Sequence, residues 1–213
     1  MREHEEKGRW VIGMTGASGA CYGLNLCKQL LSAGYGVDLI ITDAGWRVLR
    51  EEEKWDVSNR QESLRQYFAE EMDRLRVYPV RDVGASIASG THLVDGMCII
   101  PCSMGTLASV AHGLSDNLLE RAADVMLKEK RPLILVPRET PLNEIHLRNM
   151  LALARMGATI LPAMPAFYQH PETISDLVDF IAGKVMDAMN IPHRLFKRWG
   201  ETDGANTDSD WGD

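Results

Sequence analysis

Several familiar signatures are missing from this 213-residue chain, and each absence removes a class of function. No apolar run approaches the roughly 20 residues of a membrane-spanning helix, so no membrane partner is expected. The opening MREHEEKGRW is charged and lacks the apolar stretch of a secretory signal, which makes a cytoplasmic protein the simplest expectation. Cysteine is scarce: Cys21, Cys27, Cys98 and Cys102 form no CxxC pair and no zinc-type spacing. Cys98 and Cys102 lie in an apolar run and read as small core hydrophobes. GxGxxG and GxxxxGK[ST] are both missing, which removes the usual signs of a dinucleotide or a nucleoside triphosphate. HExxH, GxSxG and the DDxxD cluster that holds Mg²⁺ for prenyl diphosphates are missing too, and no metal site is expected.

Positive charge is also in short supply. The net charge is −7, but the tail ETDGANTDSDWGD supplies five negatives through Glu201, Asp203, Asp208, Asp210 and Asp213. Residues 1–8 form a charged leader, and the body between leader and tail is close to neutral. A nucleic-acid surface would need a basic face, and none is indicated. Residues 9–200 read as one domain, with 201–213 as an acidic, disordered tail.

What is present is an alternation. Strands are expected at Arg9–Met14, Val37–Thr42, around Val77, Gly96–Cys102, Pro132–Pro137 and Thr159–Ala163. Helices are expected at Cys21–Ala33, through Trp46 to about Glu53, at Asp116–Lys130, Asn143–Met156 and Ser175–Met189. In the fourth of these, Leu147, Met150, Leu151 and Ala154 form the apolar stripe. The strands are apolar throughout instead of alternating, which marks a parallel sheet covered on both faces. The expectation is a single doubly wound α/β domain of Rossmann or flavodoxin type.

In such a sheet ligands bind beyond the carboxyl ends of the strands, so the residues after each strand are the candidates. After the first comes TGASGA, with Gly16, Ala17 and Ser18; after the second comes Thr42. After the fourth comes CSMGT, with Ser103, Met104, Gly105 and Thr106; after the fifth come Arg138 and Glu139. Small residues leave room for a bound object, and amides at a helix start favour an anion or a polar ring edge. Each loop alone is equally well explained by tight packing or by capping. Two such loops plus Arg138 favour a nucleotide or phosphoester. Arg121 and Lys128 lie seven apart on one helix face, and Lys184 borders the stripe of the last helix. Solvated or snorkelling cations are the plain alternative for all three.

The segments MTGASGA, PCSMGTLASVAHGLSDNLLERAADVMLKEKRPLILVPRE, IHLRNMLALARMGA and DLVDFIAGKVMD, with RWG, together resemble the UbiX/Pad-type flavin prenyltransferases from Trp10 to Gly200. The resemblance implies an FMN-binding homododecamer with active sites at subunit interfaces. It implies transfer of the dimethylallyl group of dimethylallyl monophosphate to N5 and C6 of reduced FMN, and delivery of prenylated FMN to a UbiD-type decarboxylase. Gly16, Ala17, Ser18, Thr42, Ser103, Met104, Gly105, Thr106 and Arg138 match the FMN positions. Tyr168 and Lys184 match the prenyl phosphate positions, and Glu52, Arg121, Lys128, Glu139 and Trp199 match further active-site positions. Thr42 stands where serine is usual and Lys184 where arginine is common; each keeps the hydrogen-bonding or positive character.

That chemistry suits the inventory. A departing phosphate needs positive charge and proton donors, which Arg121, Lys128, Lys184 and the Tyr168 hydroxyl supply. Glu139 is placed to pass a proton, and Trp199 offers a π-face to an allylic cation. In this assignment Ser18 faces the reactive centre of the flavin. Two alternatives carry their own tests. An FMN-dependent cysteine decarboxylase of the same fold needs a histidine ahead of the CSMGT loop, for which His92 is the nearby candidate. A non-catalytic flavin carrier would make Glu139, Lys128 and Tyr168 dispensable.

Overall fold

The computed structural model describes residues 6–198; residues 1–5, Trp199 and everything beyond it lie outside the described residues. Six parallel strands form one sheet: β1 (Arg9–Met14), β2 (Gly36–Ile41), β3 (Leu75–Tyr78), β4 (Gly96–Cys102), β5 (Leu133–Pro137) and β6 (Thr159–Ile160). Their order is β3-β2-β1-β4-β5-β6, so the chain builds outward from β1 and then returns to β1's other side with β4. That reversal opens a crevice between the loops after β1 and β4 at the carboxyl edge, where this fold class holds ligands.

Side chains of a strand alternate between faces, and here both faces are buried. Trp10, Ile12 and Met14 of β1 join Leu39, Cys98, Ile100 and Val136 in one core. That core is covered by α1 (Ala20–Ser32), α2 (Asp43–Glu53), α3 (Arg60–Tyr67) and α7 (Ile174–Ala188). Val11, Ile40, Met97, Ile99 and Leu135 point the other way, under α4 (Met104–Ala111), α5 (Leu118–Lys128) and α6 (Glu144–Arg155). Cys27, Cys98 and Cys102 are fully buried free thiols, as core hydrophobes should be.

The expected doubly wound domain is therefore found, with boundaries shifted by a residue or two. The strand expected at Thr159–Ala163 shortens to β6, two residues long. A larger departure concerns α6. Its Leu147 and Leu151 are 53% and 51% exposed, Ile145 is 66% exposed, and Asn149 and Leu153 face inward instead. Helical periodicity identifies a stripe but not which side meets the core. At this end of the sheet the short β6 gives α6 little to cover, and most of its apolar face looks outward.

Candidate active site at the switch point

Three helices begin at the carboxyl edge around the crevice, and each solves the problem of its unpaired first amides differently. α2 uses Thr42, whose Oγ1 accepts the Gly45 N–H at 3.0 Å. α4 uses Ser103, whose Oγ accepts the Thr106 N–H at 3.3 Å and donates to Thr106 Oγ1 at 3.1 Å. α1 begins after Gly19, whose φ of 101° suits glycine and whose position offers no capping side chain. Its cap comes from another helix: Glu52 Oε2 accepts the N–H groups of Gly19 at 2.9 Å and Ala20 at 3.0 Å.

This changes the expectation for the glycine loop. Its helix start is already occupied by a carboxylate of the protein, so those two amides are not available to a phosphate. Burial raises the Glu52 pKa, but the Ser18 hydroxyl, the Gly19 and Ala20 amides and the Arg138 charge outweigh it, and the carboxyl is held below its ordinary value. Among the described residues, helix-start amides without an acceptor are found both on α2, at Asp43 and Ala44, and on α4. Among the described residues the Met104 and Gly105 N–H groups meet no acceptor, because Ser103 N–H, Thr106 N–H and Leu107 N–H are all engaged. A Cβ on Gly105 would meet nothing within 4 Å, so that face of the loop is open. At Gly16, by contrast, a Cβ would stand 2.6 Å from that of Ala44, so glycine there lets the first loop lie against α2.

Arg138 braces the two loops from outside. Its Nε donates to the Ser18 carbonyl at 3.1 Å and its own N–H to Cys102 O at 3.3 Å. Thr15, absent from the sequence-based candidates, braces them from inside through hydrogen bonds to Pro101 and Ser103. Its partners lie 86 and 88 residues away, so nothing local in the sequence marks it.

Gly16, Ala17, Ser18, Thr42, Glu52, Ser103, Met104, Gly105, Thr106 and Arg138 are thus brought together. Glu139 follows directly, exposed, with Oε1 accepting the Thr140 N–H at 3.0 Å. It lines a cavity of about 250 Å³ with Arg138, Met150 and Met164. Tyr168 stands edge-on to Phe180, with ring centroids 6.1 Å apart, and lines a separate cavity of about 600 Å³. Lys184 lies one turn along α7 from Phe180 and 3.8 Å from Asp187.

Of the two expected residues on α5, Lys128 is not brought to this rim within one chain. Arg121 pairs with Asp124 at 3.1 Å, and Lys128 pairs with Glu129 at 2.8 Å. α5 carries the chain from the carboxyl edge back to the start of β5, so Lys128 ends near the opposite edge of the sheet. Trp199 lies outside the described residues. His92 is also at the opposite edge: its Nε2 is 3.8 Å from the buried Asp38, and its carbonyl accepts from Arg131. It therefore does not occupy the place that a cysteine decarboxylase histidine requires.

The Flavoprotein family matches residues 1–186. A flavin prenyltransferase UbiX of Halalkalibacterium halodurans is 55% identical over 195 residues, spanning 92% of this chain and 95% of that protein. The chain belongs to the UbiX-type flavin prenyltransferases of the Flavoprotein family. Among solved structures, one UbiX, in complex with FMN and dimethylallyl pyrophosphate, matches with a TM-score of 0.84 and 38% identity, over 93% of this chain and all of that one. A dodecameric FMN-dependent UbiX-like decarboxylase from Escherichia coli matches with a TM-score of 0.81 and 40% identity, over 90% and 98%. In this family setting, the capping of α1 by Glu52 and the open start of α4 divide the rim into a filled anion position and an open one.

Proposed function

We propose that the protein is a flavin prenyltransferase that joins the dimethylallyl group of dimethylallyl monophosphate to reduced FMN and passes prenylated FMN to a UbiD-type decarboxylase. The observation that carries this reading is the switch-point crevice with one helix start closed by Glu52 and the next left open at Met104 and Gly105. The residues fit FMN. The open amides, the Thr106 hydroxyl and Arg138 suit its phosphate, and the unobstructed face of Gly105 leaves room for the cofactor to approach the loop. Bound in its reduced form, the flavin supplies nucleophilic N5 and C6 atoms.

The chain's own groups handle the leaving phosphate. Cleaving the allylic C–O bond leaves the phosphate carrying extra negative charge, so the pathway depends on cations and proton donors placed before ionisation. Glu139 uses one oxygen for its neighbour's amide and keeps the other free for proton exchange with the phosphate. Lys184 and the Tyr168 hydroxyl bind that phosphate from the α7 side. Ser18, held through its carbonyl by Arg138 and through its hydroxyl by Glu52, faces the flavin.

Arg121 and Lys128 serve the crevice of a neighbouring subunit, because α5 takes Lys128 away from its own. That makes the site complete only in an assembly, for which a homododecamer is the natural form. The outward apolar face of α6 gives such an assembly a surface to bury. A cytoplasmic location suits the free state of all four cysteines. Incubation with FMN, dithionite and dimethylallyl monophosphate, followed by mass spectrometry of the flavin, tests the reading. A C5H8 increment is expected; unchanged FMN would defeat it.

A further inference from the structure

We propose that Thr15 is the positioning residue of the cofactor half of this site, its hydroxyl fixing the gap between the β1 and β4 loops and aiming the open amides of Met104 and Gly105 into the crevice. The inference rests on the flavin reading above. Thr15 follows the last residue of β1 and is 2% exposed. Pairing between β1 and β4 runs from Trp10 with Gly96 to Gly13 with Ile99 and then stops. Thr15 makes the next tie between the two strands, at the same 86-residue offset, before the loops separate to form the crevice. Its N–H and its hydroxyl both donate to the Pro101 carbonyl, at 3.2 and 2.8 Å. The same Oγ1 accepts the Ser103 N–H at 2.8 Å. One hydroxyl thus acts as donor and acceptor across two loops.

The consequence falls on the start of α4. Ser103 N–H is turned inward to Thr15, its carbonyl accepts the Leu107 N–H at 2.9 Å, and its Oγ takes the Thr106 N–H. With Ser103 anchored at three atoms, the two intervening amides are the ones directed at the crevice. Valine has nearly the shape of threonine without the hydroxyl. It would strand the Ser103 N–H in a partly buried position, and the loop would relieve this by moving outward to water. Arg138, the outer brace, ties Ser18 and Cys102 but does not touch Ser103 in the hydrogen bonds described.

Thr15→Val and Thr15→Ser in the full-length assembled protein separate positioning from folding. Thr15→Val should weaken FMN binding about tenfold or more, the loss of one well-made hydrogen-bonding group. Turnover at saturating FMN and the KM for the prenyl substrate should stay within about threefold, since no atom of Thr15 is aimed at the reacting carbons. Thr15→Ser keeps the hydroxyl and should bind FMN within about threefold of the parent protein. Equal binding by Thr15→Val and the parent, or equal losses in both variants, would overturn the proposal. Should Thr15→Val not fold, amide hydrogen exchange on the unmutated protein decides. Ser103 N–H should be protected with and without FMN, whereas Met104 and Gly105 should slow only when FMN is bound; a freely exchanging Ser103 in the absence of FMN overturns the brace. Failure of the unmutated protein to bind FMN would instead defeat the flavin reading, and this proposal with it.

Discussion

The rim around β1 and β4 and the outer faces of α5 and α6 differ in how their polar groups are held. At the rim the polar groups that join the loops pair over long sequence distances within the chain: Thr15 with Ser103, Glu52 with Gly19 and Ala20, Arg138 with Ser18. On α5 the pairings are short-range and exposed, Arg121 with Asp124 and Lys128 with Glu129, and α6 carries exposed apolar side chains. Exposed pairs of that kind contribute little to stability and are readily exchanged for another anion. The cofactor half of the site is therefore preorganised in one chain. In the reading proposed above, Arg121 and Lys128 complete the phosphate-leaving half from a second chain.

The sharpest way to break this comparison is to mix variants. Lys128→Ala and Glu139→Gln alone should each lower prenyl transfer by about 100-fold, the scale of losing one charge-stabilising or proton-transferring group. Co-assembled, the two should recover a substantial share of activity, because some interfaces then pair an intact Lys128 with an intact Glu139. Activity no higher than that of either variant alone would mean that both residues act from one chain. A smaller but still large effect is expected from Leu147→Glu combined with Leu151→Glu. Charges on that face should reduce the assembly to smaller species and cut transfer about tenfold or more. FMN binding should survive within about tenfold, because the rim is complete without α6's outer face. Sedimentation and flavin titration measured on the same sample check both halves.

The two regions also differ in how far the sequence discloses them. Strands buried on both faces leave continuous apolar runs, so GMCIIPC and PLILVP announce themselves, and the loops after them follow by topology. Ser103 reads as a cap because capping acts over three residues, and Thr42 caps α2 by the same short-range geometry. What does not show is anything whose partner is remote. Thr15 looks like one more small residue until Pro101 and Ser103 fold against it. α6 has the expected period but a rotated orientation, with Met150 against the core and Leu147 and Leu151 outward, since amphipathicity alone does not say which side meets the core. The run Glu51–Glu53 is informative in retrospect. Three acids in the last turn of α2 oppose that helix's dipole, which makes sense for Glu52 once it is seen at the positive end of α1.

That placement sets the smallest effect and the most specific one. Glu52→Gln keeps the size and one acceptor oxygen but removes the charge, and should cost about 1 kcal/mol of stability at neutral pH, the usual scale for a capping interaction. Because the folded carboxyl is held below its ordinary value, the folded state binds protons less readily than the unfolded chain. The carboxylate's contribution is therefore complete above the ordinary value of 4.5 and drains away as pH falls through the lower folded value. Denaturant unfolding of the parent and Glu52→Gln proteins should give curves separated at pH 7 that converge in acid. A gap that stayed constant down to pH values well below 4.5 would mean that the negative charge on Glu52 is not what holds the glycine loop. Flavin affinity follows the same logic: capped by a neutral oxygen instead of a carboxylate, the Gly19–Ala20 turn competes better with α4 for the cofactor's phosphate. Glu52→Gln should then blur the distinction between closed and open helix starts, and crystals of it with FMN should show the phosphate divided between them.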